Sequence, residues 1–226
     1  MPDSEDILLV IKKIERTIED TLWNSMNDED YEKARQEYEK AKLDLESMQG
    51  LTDNLERERK RVLSYSLMRL NDAMGHLGMS NGSIERAEEA LQLAEESKDL
   101  VQTLRAKLAV GVTLLNQGRL PEAESYFEDI IFQTQDETEN EEVIQVFGWT
   151  LIVRVNILLG KSLYNQAEAL ALQALGVLSR IKNYAGLRTA CSLLSRVYQS
   201  LGDLEKADSY RQRSEEYAKL AKKHRQ

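Results

Sequence analysis

Cysteine occurs once in 226 residues, proline twice and histidine twice. A single thiol, Cys191, excludes an internal disulfide and a cysteine-based zinc site. Two histidines, His76 and His224, are too few for a metal cluster of their own. Eleven glycines and two prolines leave few helix breakers, and aromatics are only 6%. Hydrophobic residues at 42% are still enough to bury a core, so the composition suits an almost all-helical chain. No apolar run approaches the roughly 20 residues needed to cross a bilayer. The acidic start, Asp3, Glu5 and Asp6, lacks the basic segment of a signal peptide. The expected location is therefore the cytoplasm, with no membrane partner.

Clustered positive charge is also missing. The formal charge is −9, which argues against a nucleic-acid partner. From Glu122 to Glu142 there are nine acidic residues and no basic one. That run reads as a solvated face or as a dock for a basic partner. From Leu204 onward the balance reverses, with seven Lys and Arg against four Asp and Glu. No glycine-rich phosphate loop is present: Gly75, Gly78 and Gly82 read as helix-packing and turn glycines. His76 reads as a polar contact, His224 as part of a frayed basic tail and Cys191 as a buried thiol. No catalytic, cofactor-binding or metal-ligating residue is assigned, and no enzyme is expected.

One short phrase recurs five times: Tyr31-Glu-Lys-Ala34, Ile84-Glu-Arg-Ala87, Leu120-Pro-Glu-Ala123, Tyr164-Asn-Gln-Ala167 and Leu204-Glu-Lys-Ala207. The spacings between the alanines are 53, 36, 44 and 40 residues. A recurring unit of this size marks stacked helix pairs. Five before the alanine stand Glu29, Gly82, Gly118, Ser162 and Gly202, in the turn joining two helices. Twelve before it stand Leu22, Gly75, Gly111, Val155 and Ser195. Small residues at such places let two helices approach closely. Periodicity predicts five pairs: about 4–26 with 28–49, 52–79 with a helix opening at Ser83, 99–117 with 120–135, 141–160 with 163–180, and 184–201 with 203–222. Gly50 reads as a helix-ending residue, Ser83 and Asp203 as N-caps, and Pro121 as a first-turn proline.

The pattern resembles the tetratricopeptide repeat, a helix-pair unit of about 34 residues with small residues at its eighth and twentieth positions. The best matches are Leu108–Ile130 and Leu194–Tyr210; residues 65–215 follow the pattern well and 5–49 loosely. The spacing here is nearer 40, and the family's fourth-position tryptophan is replaced by Asn71, Lys107, Leu151 and Cys191. The terminal proline is absent throughout. The resemblance implies an all-α fold, a right-handed α-solenoid of antiparallel helix pairs with about ten helices. It implies one repeat domain over 1–226: a divergent pair at 1–50, then units 51–98, 99–138, 139–182 and 183–226.

In that family the first helix of each pair lines a concave groove. Carried over by position, the groove residues are Arg69, His76, Arg105, Leu108, Val112, Leu115, Trp149, Ile152, Asn156, Leu159 and Arg196. The middle of this set is apolar with cationic edges, which suits an amphipathic helix or an acidic-hydrophobic peptide. A carboxylate clamp of the family would need Lys or Asn where Asp72, Leu108, Ile152 and Ser192 stand, so no chaperone-tail binding is implied. The expected role is a protein-binding adaptor or scaffold with a protein or peptide partner and no cofactor. The alternatives are a regulatory or sensor module controlling a separate effector, and a structural subunit or homo-oligomer. The groove could equally be filled by the chain's own helix at 52–79.

Overall fold

The structure, a computed structural model, describes residues 4–26 and 28–223. His224 and Asp3 lie outside the described residues. The described residues form ten α-helices and no strand. They are α1 (Ser4–Thr21), α2 (Tyr31–Glu46), α3 (Asp53–His76), α4 (Ser83–Ser97), α5 (Leu100–Asn116), α6 (Leu120–Thr134), α7 (Glu141–Gly160), α8 (Tyr164–Arg180), α9 (Tyr184–Leu201) and α10 (Leu204–Lys223). A π-helical turn, Leu22–Met26, continues α1. Each start is close to where periodicity placed it, and at several of them a side-chain acceptor stands at the cap. Asp99 Oδ1 accepts from the Gln102 amide at 2.7 Å, Asn183 Oδ1 from Gly186 at 2.8 Å and Asp203 Oδ1 from Lys206 at 3.1 Å. Two expected caps fail. Ser83 is the first residue of α4, and the cap position is Gly82 in the left-handed region. Gly50 lies beyond the end of α2, whose cap is Ser47.

The recurring turn has one backbone solution. Glu29, Gly82, Gly118, Ser162 and Gly202 all have positive φ, at 62°, 70°, 77°, 58° and 81°. In four of the five turns the next amide reaches back over the helix end: Asp30 to Ser25 O, Arg119 to Leu114 O, Leu163 to Leu158 O and Asp203 to Tyr198 O, at 2.8–2.9 Å. That closure satisfies carbonyls the helix leaves open. The longer second turn uses Gly78 for the same purpose, with the Met79 amide on Met74 O at 2.8 Å. The alanines that anchor the repeat follow five residues later, and all are buried, at most 3% exposed.

The chain divides into two compact units, residues 1–126 and 127–226, with the division inside α6. In the first, α3 packs on α1, α2, α4 and α5. Ile11, Ile18, Tyr38, Leu45, Val62 and Leu67 fill its core, none more than 1% exposed. Small hydroxyls tie helices where they meet: Ser64 Oγ donates to Ala90 O at 2.6 Å and Ser66 Oγ to Tyr38 O at 3.0 Å. In the second unit α8 packs between α7 and α9, and α9 packs on α10. Ser195 Oγ donates to Ala207 O at 2.7 Å, joining the last pair. Leu178 of α8 is fully buried against glycines on both neighbours, Gly148 of α7 and Gly186 of α9.

One described helix, α7, is long and apolar enough by length and composition to cross a membrane, which corrects the reading of the sequence. Ten of its residues, Val143 to Ile157, are buried in the protein, so its apolar character serves the core.

Candidate functional site

In the first unit, α5 carries Leu108, Val112 and Leu115 at helical spacings of four and three residues. They share one face, and all three are only partly buried. Opposite charges line the neighbouring first helices. Arg61 of α3 grips Glu15 of α1 with two bonds of 2.7 and 2.8 Å, and Glu58 with a third. Burial raises the Glu19 carboxyl, helped by Glu15 and Asp20, while Arg105 and Arg61 pull it down. Arg105 is thus electrostatically engaged with α1.

Arg69 is committed locally. Its Nη1 donates to Asp72 Oδ2 at 3.0 Å, and its guanidinium lies 5.1 Å from the Tyr65 ring centroid. Burial works against the Arg69 charge, but Asp72, Tyr65 and Tyr38 together outweigh it and hold the guanidinium above its ordinary range. Burial raises the Asp72 carboxyl, against the pull of Arg69 and His76. His76 is exposed at the end of α3 and stacks on Tyr31, with centroids 4.3 Å apart and planes 4° from parallel. The helix expected at 52–79 is α3, which packs on α1, α2, α4 and α5.

In the second unit, α7 carries Trp149, Ile152, Asn156 and Leu159. Trp149 and Leu159 are partly exposed and rest on the core. Ile152 is 3% exposed and belongs to the core itself. Asn156 and Arg196 are exposed, and Arg196 Nη1 donates to Asn156 Oδ1 at 3.3 Å, linking α9 to α7. Cys191 is buried, and burial raises its thiol. Among the described residues no group of three His, Cys, Asp or Glu side chains is placed to hold a metal ion.

Sequence reasoning missed Tyr31, Tyr65 and Glu15. Each acts across or along helices on faces that become neighbours only after packing. The i,i+4 spacing of Tyr65 and Arg69 was the one readable signal.

The Tetratricopeptide repeat family model matches residues 189–219, which cover most of α9 and α10. No curated protein matches the chain. Among solved structures it is similar to the Rap conjugation gene regulator of plasmid pLS20 in complex with the Phr* peptide. The identity is 20% and the TM-score 0.70, over 98% of this chain and 56% of that one. It is similar to the apo quorum sensor NprR from B. thuringiensis at 15% identity and TM-score 0.57, over 90% of this chain and 64% of that one. A kinesin light chain of Podosopora anserina with nearly identical TPR-like repeats matches at 12% identity and TM-score 0.54, over 93% and 97% of the two chains. The chain thus spans less than two thirds of the length of the two regulators. The final helix pair thus matches the tetratricopeptide repeat, and the described residues have an all-α fold of the tetratricopeptide-like solenoid type.

Proposed function

We propose that the chain is a protein-binding adaptor that captures a peptide or helical segment of a partner on the faces of its first helices. The observation that carries this is the row Leu108, Val112 and Leu115, three aliphatic side chains left partly exposed on one face of α5. Such a face suits an amphipathic segment. Trp149 and Leu159 of α7 supply a second apolar contact in their own unit, with Asn156 and Arg196 beside them. Arg69, His76 and Arg105 add polar contacts, and Ile152 supports the α7 face from within the core. The mechanism is equilibrium capture in the cytoplasm, with no covalent step, cofactor, membrane or nucleic acid. Self-association of the array is part of the same reading.

A second reading is a sensor module whose ligand controls a separate effector. It is favoured by the similarity to a conjugation gene regulator holding a peptide and to a quorum sensor. Selection from a random peptide library on the immobilised full chain tests both. Enriched amphipathic peptides should lose binding to Leu115→Glu and Trp149→Ala while both variants keep the helicity of the parent chain. Peptides that bind these folded variants as well as the parent chain sink the proposal.

A further inference from the structure

The outer face of α6 carries an exposed aromatic among acids. Phe132 is 78% exposed, more than any other large apolar side chain of the described residues. Glu128 and Asp129, four and three residues earlier, share its face. Asp136 follows four residues later, in the turn after α6. From Phe127 to Glu142 there are seven acidic residues and no basic one, so no ion pair can form within the segment. Elsewhere exposed helix charges are paired at three or four residues: Arg35 with Glu39, Lys42 with Glu46 and Arg211 with Asp208. Arg180 of α8, beside this segment, donates to Thr138 O at 3.2 Å rather than to a carboxylate. Glu137 is used by its own loop, where Oε1 accepts from the amides of Thr138, Glu139 and Asn140. Asp136 stands at the C-terminal end of α6, where the macrodipole is already negative and no basic residue lies in the last turn. Both features are unfavourable in one copy taken alone: apolar area stays in water, and like charges crowd a negative helix end.

The same chain carries the complement. α10 ends in Lys219, Leu220, Lys222 and Lys223, with no acid among residues 219–223. The three lysines are exposed, and Leu220 is 38% exposed. Lys219 and Lys223 lie one turn apart with Leu220 beside them. This end of α10 thus presents an apolar side chain among cations, as α6 presents one among anions. The earlier cations of α10 are engaged locally: Lys206 with Asp203, Arg211 with Asp208 and Arg213 over the Tyr210 ring.

We propose that the acidic face of α6 docks the basic end of α10 of a second copy of this chain. Phe132 would meet Leu220, and the lysines would meet Glu128, Asp129 and Asp136. The two patches differ, so the contact is heterologous and the association open-ended. The nine acids of residues 122–142 equal the whole net charge of −9, so repulsion between copies is concentrated in the segment that the lysines neutralise. One helix face and one helix end fall short of a standard interface of about 1,600 Å², so the association is weak and salt-dependent. Neither patch contains a residue of the α5 or α7 face, so the contact is independent of peptide capture there.

The test is sedimentation velocity of the full chain, up to near-millimolar concentration, at about 50 mM and about 500 mM salt. The parent chain should grow reversibly in mass with concentration, with affinity at least about tenfold weaker at high salt. Phe132→Ser/Asp136→Asn removes the α6 patch, and Lys219→Glu/Lys223→Glu removes the α10 patch. All four positions are exposed, so circular dichroism should show the helicity of the parent chain in both variants. Each variant alone should stay monomeric. An equimolar mixture should form one-to-one dimers and grow no further, because one complementary pair of patches remains. A parent chain that stays monomeric, or stops at a symmetric dimer, overturns the proposal. So do growth insensitive to salt, growth retained in either variant, and a mixture that stays monomeric. A monomeric parent that binds a synthetic Lys- and Leu-rich helical peptide through Phe132 assigns the face to a separate basic protein and likewise overturns the second-copy contact.

Discussion

Gly148→Ala tests how closely the helices of the second unit pack. A Cβ at Gly148 would stand 2.5 Å from Leu178 Cδ2 and 2.6 Å from its Cγ. Ordinary carbon contacts are about 3.5–4.0 Å, so something must move by about 1 Å. Leu178 has nowhere to retreat. It is 0% exposed, and on its other side a Cβ at Gly186 would already meet it at 2.8 Å. Overpacking of this kind costs about 1–3 kcal/mol, and the upper part of that range applies to a side chain hemmed in on both flanks. Alanine in place of a helical glycine returns about 1 kcal/mol of propensity. The net expectation is a loss of about 1–2 kcal/mol. In urea unfolding followed by circular dichroism, a slope of about 2 kcal/mol/M turns this into a midpoint lower by about 0.5–1 M. Gly176→Ala on α8 is the matched control, because nothing lies within 4 Å of its added Cβ. It should stabilise by about 0.5–1 kcal/mol. Leu178→Ala alone should cost about 2–5 kcal/mol. The double variant Gly148→Ala/Leu178→Ala should be less destabilised than the sum by more than about 1 kcal/mol, since the new methyl enters the space vacated. A stabilising Gly148→Ala, or additivity of the pair, would refute the packing argument.

Other expectations follow from single sites. Ser162 holds φ at 58°, so Ser162→Gly should raise stability by about 0.5–1 kcal/mol in the same urea assay. Gly118→Ala should lower it by about 1–2 kcal/mol through backbone strain alone, because nothing lies within 4 Å of its added Cβ. The hydrogen bond from Arg61 holds the Glu58 carboxyl below its ordinary range. A depressed folded pKa contributes stability above the unfolded pKa and loses it as pH falls through the folded one. Stability of the parent chain should therefore fall between about pH 5 and pH 3 more steeply than that of Glu58→Gln, and the two curves should converge below that window. Cys191, buried with its thiol raised, should react with a thiol reagent only at the rate of unfolding.

The helix pairs were legible because three independent signals coincide in each unit. The apolar period, the buried alanine and the left-handed turn residue all recur at fixed offsets, and each has a local cause. Ser83 shows where local rules stop. Serine is a good cap, but Gly82 takes the left-handed conformation and carries the chain into the helix one residue early. At the candidate site, spacing placed Leu108, Val112 and Leu115 on one face, as a period of 3.6 requires. The same period put Ile152 beside Trp149, and only packing reveals that Ile152 is closed off at 3% exposure. The Tyr31–His76 stack and the hydrogen bonds from Arg86 to Asn71 and from Asn71 to Thr113 depend on which helix faces meet. No spacing along the chain encodes that.

The central claim is that the first helices bind the partner while the second helices support them. Hydrogen exchange with and without a library-selected peptide tests it most directly. Slower exchange confined to first helices, strongest in α5 and α7, is the predicted footprint. Protection confined to α6, α8 and α10, with none in α5 or α7, would contradict the account.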